Sequence, residues 1–405
     1  MDLTQKQIVE FIKSAINGEK INLNIDEPIG WESIINLSRE HKIEGLVYSV
    51  IPNKLKDIVS SELLNLWKKE VFLSGITQQR HMKEMENVLK ELNKANIDVL
   101  VLKGLVIRDL YPTPTLRTMS DADIVVNESD LEKSKEVLTR IGYIEYKQTP
   151  NDFMFIKSGC LPIELHWDLA DDHFFKQISK FEEDMWPNIL PVKIGEASAN
   201  EMGLEDLAIF QCIHMAKHIV YRGFGIRHLI DFALLVNKRG SEINWINFLD
   251  RCKKYGIYKF VLQVILTCNA LFDIEIPKDI EFVSKEDKSY LNQFIDDIFE
   301  SGVHGKQDFV SSVASEFAYT ADKDGGKNIS SFKRYMRFLF PKVETMSDTY
   351  NYAKKYKVLH PVAWGHHLVR GICNKDYSLK DKIKFTTETV NVSQKRNDLI
   401  NYLEL

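Results

Sequence analysis

The sequence predicts an α+β protein: a small mixed sheet, with helices before it and a large helical region after it. Three observations carry this. Apolar residues in the first ninety-odd positions recur at helical spacing. Between about 97 and 167 they switch to short buried or alternating runs, and beyond about 196 the helical period returns. The expected division is a helical region at 1–95, a sheet core at 96–195 and a second helical region at 196–405.

Ile8, Phe11, Ile12 and Ile16 mark the first helix. Residues 31–50 and 59–73 repeat the pattern. Residues 79–96 place Met82, Met85, Val88, Leu89 and Leu92 on one face. IDVLVL at 97–102 is a short apolar run between polar and glycine-bearing flanks, which predicts a buried strand. A short helix at 104–111 follows, stopped by Pro112 and Pro114. DADIVV at 121–126 alternates charged and apolar residues and reads as a strand. Ser129 and Glu132 have capping-box spacing, opening a helix that runs to Ile141 and stops at Gly142. Residues 143–147, 153–157 and 162–167 read as three further strands. The order from 97 is β-α-β-α-β-β-β.

After a short tract near 191–194, residues 205–218 and 226–236 read as helices. From 245 onward helices alternate with polar loops such as ADKDGGKN at 321–328. No internal repeat is visible.

The chain of 405 residues is long enough to bury a core without disulfides or a structural metal. With 53 basic and 58 acidic residues its net charge is −5, a poor match for gripping duplex DNA or an anionic membrane with the whole surface. Five scattered cysteines, none in a CxxC pair, suit buried thiols in a reducing compartment. The first residues lack an apolar signal-peptide core, and no apolar run approaches the ~20 residues that span a bilayer. The expected location is the cytoplasm.

The chemistry concentrates in Ser120-Asp121-Ala122-Asp123. Residues i and i+2 of a strand share a face, so Asp121 and Asp123 present two carboxylates side by side. Such a pair is costly to bury without positive charge between them. A solvated strand edge accommodates it, and so does a divalent metal; Mg2+ takes one or two carboxylates plus substrate phosphate oxygens. The neighbours favour the metal. The strand at 97–102 ends in Lys103-Gly104, where a glycine lets the backbone approach a ligand and a helix start favours phosphate. Lys103 adds a compact positive charge and Arg117 a planar fork. Glu164 stands between apolar residues on a later strand, where an acid needs a reason.

These residues resemble the polymerase-beta-like nucleotidyltransferase superfamily: strand, glycine and helix, then an Asp-x-Asp strand, then an apolar-acid-apolar strand. More narrowly, VLKGLVIRDLYPTPTLRTMSDADIVV at 101–126, LTRIGY at 138–143 and ELHWDL at 164–169 are similar to bacterial nucleotidyltransferase-like proteins. His214, Lys217 and His218 with Arg227 and Asp231, and Phe340-Pro341 with the helical tail to Arg370, extend the likeness. The resemblance implies a nucleotidyltransferase core in which Asp121 and Asp123 bind two metals. Glu164 is then the third carboxylate and orients or deprotonates the attacking hydroxyl. It implies Mg2+, with Mn2+ as the alternative, and an NTP donor, ATP first, held by Lys103, Gly104, Arg117, Ser120, Lys217 and His218. The superfamily usually has Gly-Ser where this chain has Lys-Gly, so the serine's role does not carry over.

The implied reaction moves an NMP from the NTP to a hydroxyl or phosphate of a small molecule or protein and releases pyrophosphate. Such transfer needs positioning and charge neutralisation above all. The alternative is a non-catalytic nucleotide-binding protein or a toxin–antitoxin component. A nucleic-acid acceptor is disfavoured by the acidic balance and the lack of an aromatic–basic stripe.

Other residues have simpler readings. His214 and His218 are i, i+4, which suits helix-face histidines as well as a metal or the triphosphate. Arg227 and Asp231, at the same spacing, suit a surface or interhelical ion pair. His166 either assists at the metal or closes the sheet. Asp168 competes with Glu164 for the third carboxylate, because a register slip of a residue or two would exchange them. Lys354, Lys355 and Lys357, and His366-His367, suit solvated helix faces.

Overall fold

A computed structural model of the chain describes residues 1–21, 29–56, 59–149, 151–169, 178–221, 223–285, 288–302, 340, 343, 348–373 and 396–405. The loop expected at 321–328 and Pro341 lie outside them, as do the side chains of Arg370 and Cys373. The chain divides into two units. The first comprises Met1–Lys217, Phe224–Val303 and Leu403–Leu405, the second His218–Gly223 and His304–Tyr402.

The first unit opens with α1 (Leu3–Asn17), held by a capping box between Asp2 and Gln5 and ended by Gly18 in the left-handed region. The single helix expected over 31–50 is two, α2 (Trp31–Glu40) and α3 (Glu44–Val50). The turn between them places Lys42 at φ 56° and buries His41, whose Nδ1 accepts the Ile226 N–H. After α4 (Asn53–Lys56), the two helices expected over 59–73 and 79–96 are one, α5 (Ser61–Lys94). Its apolar stripe lapses at Gln78, because that buried amide holds the backbone N–H and C=O of Met119 instead of packing on apolar atoms.

Then follow β1 (Leu100–Val101), shorter than the apolar run around it, α6 (Gly104–Ile107) with a 3-10 turn, and β2 (Ala122–Val125). The expected capping box at Ser129 and Glu132 does not form. A 3-10 turn at Glu128–Asp130 absorbs Ser129, and α7 (Leu131–Arg140) starts at Asp130 without a side-chain cap. The strands β3 (Ile144–Gln148), β4 (Asp152–Ile156) and β5 (Ile163–His166) stand where the sequence places them. After α8 (Ile178–Met185), β6 (Leu190–Ile194) pairs with β7 (Ala197–Glu201), which the sequence reading lacked. ASANE has no apolar alternation to reveal it.

The sheet is mixed, in the order β3-β4-β5-β2-β1-β7-β6. The β2–β5 and β1–β7 pairs are parallel. Ala122, Ile124, Ile163 and Leu165 face the core built with Met85, Val88, Leu89 and Leu92 of α5 and Val137 and Leu138 of α7. The opposite face of β2 and β5 therefore carries Asp123, Glu164 and His166.

α9 (Leu204–Tyr221), α10 (Ile226–Arg239), α11 (Trp245–Lys254), α12 (Tyr258–Phe272) and α13 (Leu291–Ser301) complete the helical surroundings. Cys212, Cys252 and Cys268 are buried free thiols, and Cys160 is half-buried and free. The second unit contains α14 (Asn351–Lys355) and α15 (His360–Cys373), around a small core of Val343, Tyr350, Ala353 and Ala363. Among the described residues, no helix is long and apolar enough to cross a membrane.

Candidate active site

Two adjacent strands build the site. Parallel pairing of β2 with β5 sets Asp123 opposite Glu164 and Val125 opposite His166. Paired residues of neighbouring strands point to one side, so both acids and the imidazole rise from the same face. Asp121 precedes β2 by one residue and is open to solvent. Asp123 is buried, and Glu164 half-buried.

Lys103 reaches this face from the end of β1. Its ammonium lies 3.0 Å from Asp123 Oδ1. The Leu102 N–H donates to the Asp123 carbonyl at 3.2 Å, fixing the strand end beside the acid. Lys103 adopts φ 45°, ψ −112°, a conformation glycine takes far more readily than lysine. His166 Nε2 lies 3.3 Å from the same Asp123 oxygen and 3.7 Å from Glu164 Oε2.

The charges respond to this packing. Burial works to raise the Asp123 carboxyl, but the Lys103 ammonium and the His166 ring hold it well below the usual carboxylate range. Asp121 moves the other way. Desolvation by the protein crowded around it, then Asp123 and Glu164, push it up to about 6, although its open side keeps contact with water. Burial opposes protonation of His166, yet its hydrogen bonds to Asp123 and Glu164 raise it to about 9. Three acids thus carry more negative charge than Lys103 and His166 relieve at Asp121. Asp123 and Glu164 supply oxygen donors within 4.8 Å of each other, a pair that fits a divalent cation, and Asp121 adds negative charge beside them.

A second network of side chains and carbonyls fixes the loop that leads into β2. Arg117 donates Nη2 to Asp231 Oδ2 at 2.8 Å and Nε to Oδ1 at 3.3 Å, while the Tyr111 hydroxyl donates to Oδ1 at 2.7 Å. Arg227 Nη1 donates to the Thr118 carbonyl at 2.9 Å, and the Thr118 hydroxyl to the Lys42 carbonyl at 3.0 Å. Asp231 is therefore partnered by Arg117 from 114 residues away, not by Arg227 one turn earlier, as the i, i+4 spacing suggests. Arg227 is lowered to about 10 by burial and by the neighbouring Arg117.

Gly104 lies under this network. A Cβ there would meet Arg117 Nη1 at 2.7 Å and Met119 Sδ at 2.9 Å. The absence of a side chain makes room for the guanidinium.

A family model described as "Uncharacterised nucleotidyltransferase" matches residues 27–273, more than half of the chain. The chain belongs to this family. No curated protein matches. A solved structure, an antigenic nucleotidyltransferase-like protein from Paracoccidioides brasiliensis, is similar at 12% identity and a TM-score of 0.32, over 50% of this chain and 97% of that one. At that score the likeness carries no argument of its own.

The family match covers every residue of the acid cluster and both networks, and it supports nucleotidyl transfer as the general function. Asp121, Asp123, Glu164 and Lys103 converge as one cluster, with their charges acting on one another. Ser120 is exposed beside Asp121. Gly104 and Arg117 are next to each other, with the Arg117 donors directed to Asp231 and Thr118. Lys217 and His218 are half-buried on α9, Lys217 in the first unit and His218 in the second. Asp168 hydrogen-bonds Glu182 on α8. Sequence reasoning left His166 undecided and did not identify Arg117 as the partner of Asp231. The signal for His166 was its i+2 spacing from Glu164.

Proposed function

We propose that the chain is a metal-dependent nucleotidyltransferase that moves an NMP from an NTP to an acceptor hydroxyl or phosphate and releases pyrophosphate. One observation carries the reading: the β2–β5 register sets Asp123 opposite Glu164 on the face opposite the core, with Asp121 exposed just before that strand. Asp121, Asp123 and Glu164 are the residues that would hold Mg2+ or Mn2+, and the bound ion supplies charge neutralisation at the transferring phosphate.

The chain's own groups do the rest. Lys103 neutralises Asp123 and stands ready to share its ammonium with a phosphate oxygen. Ser120 offers a hydroxyl from the open edge beside Asp121. Glu164 receives the acceptor's proton or orients the acceptor. The Arg117–Asp231–Tyr111 network holds the loop so that the acids keep their spacing. ATP is the first donor to test. Small molecules and proteins are the acceptor classes, and the cytoplasm is the setting that matches the free cysteines.

The test is pyrophosphate release from each of the four NTPs with Mg2+ or Mn2+, against metabolite pools and candidate proteins. Release that disappears in Asp123→Asn supports the reading. NTP binding with no release under any condition, in wild type, overturns it in favour of a nucleotide-binding protein.

A further inference from the structure

The nitrogen in the acid cluster is unlike the three carboxylates that two strands of acids would be expected to supply. His166 Nε2, Asp123 and Glu164 each offer a donor atom, and those atoms all lie within 4.8 Å of one another. The register imposes this. His166 is two residues beyond Glu164 on β5, so it shares the face, and its ring folds back over the Asp123 and Glu164 oxygens at 3.3 and 3.7 Å. Its side chain is 16% exposed, so this nitrogen faces the acids and not bulk water.

We propose that His166 is itself a metal ligand, and that with Asp123 and Glu164 it forms a mixed nitrogen–oxygen site that prefers Mn2+ to Mg2+. The inference rests on the metal-dependent reading above and deepens it. Mg2+ seeks oxygen donors and near-ideal octahedral geometry, whereas first-row transition ions accept imidazole as well, Mn2+ least strongly among them but more readily than Mg2+. One imidazole among two carboxylates moves the preference in that direction. Asp121 lies outside this closest set and supplies an acid at its open edge. Lys103 contacts the same Asp123 oxygen, so a bound ion shares that carboxylate with the ammonium or displaces it. A purely positioning role, with His166 only holding Asp123 in place, predicts the same distances but no bond from nitrogen to metal.

The deciding measurement is electron spin echo modulation of the full-length protein loaded with Mn2+ alone. The expected result is modulation from a directly bound 14N that changes to the 15N pattern when the histidines are 15N-labelled. His166→Gln should lose it while still binding Mn2+, at least about tenfold more weakly. The excess of Mg2+ needed to displace Mn2+ should fall by a similar factor in that variant. Mn2+ bound without nitrogen coupling overturns the proposal and leaves the metal-dependent reading standing. Coupling that survives in His166→Gln also overturns it. No Mn2+ bound to the wild-type protein removes the metal-dependent reading, and the proposal with it. The labelled wild-type spectrum decides the matter even if His166→Gln does not fold.

Discussion

Lys103 and Asp123 form an ion pair 3.0 Å long at the end of β1, with the lysine backbone held at positive φ to deliver it. The pair divides the two neighbouring aspartates into different roles. Asp123 is neutralised by its ammonium partner. Asp121, two residues earlier, keeps excess negative charge.

Opposite stability effects should follow. Asp123→Asn leaves the Lys103 ammonium facing a neutral amide and should cost about 1.5–3 kcal/mol, read by urea denaturation. Asp121→Asn removes one of three mutually repelling acids, so stability near pH 7 should hold or rise. Both variants should lose NTP-dependent pyrophosphate release. Equal destabilisation by the two would contradict the pairing.

Glu164→Gln keeps shape and removes the carboxylate opposite Asp123. Turnover should drop by roughly 10²–10⁴, the usual contribution of a base, with NTP affinity changed only a few-fold. Asp168→Asn should leave turnover near wild type, because Asp168 is engaged with Glu182. The two variants assayed side by side separate the candidates; a larger loss in Asp168→Asn would reverse the assignment.

Gly104→Ala places a methyl 2.7 Å from Arg117 Nη1, and that guanidinium is anchored on Asp231. The variant should lose about 1–3 kcal/mol by overpacking. Arg117→Lys should lose about 1.5–3 kcal/mol, because an ammonium cannot reproduce the forked contact with Asp231. A silent Gly104→Ala in chemical denaturation would show that Arg117 moves freely.

Burial and Asp168 push the Glu182 carboxyl up to about 7 from its ordinary 4.5. An acid raised in the folded state favours the fold when protonated. Its stabilising contribution is present below about pH 4.5 and declines as pH rises through about 7. Melting temperature measured from pH 4.5 to 8 should therefore carry a downward component that Glu182→Gln removes, leaving the variant relatively more stable at pH 8. Parallel pH profiles for the two proteins would refute it.

Local pattern was enough for much of the fold. The change in apolar period at 97 and the runs at 121–126, 143–147, 153–157 and 162–167 put β2 to β5 in place, because alternation and burial are written in consecutive residues. It was not enough for α5, where Gln78 interrupts the stripe to bond Met119, or for β7, whose ASANE run has no apolar signature and is a strand only because β1 and β6 lie beside it.

The sequence by itself determined the α+β class and the common face of Glu164 and His166, since a strand repeats every two residues whatever surrounds it. The tertiary structure alone decided the partners. It brought Lys103 to Asp123, paired Arg117 with Asp231 across 114 residues, turned Asp168 to Glu182 and folded His166 over the acids. The physical reason is that side-chain partners depend on strand order and register, and these are set by how the whole core packs, not by the spacing of neighbours along the chain.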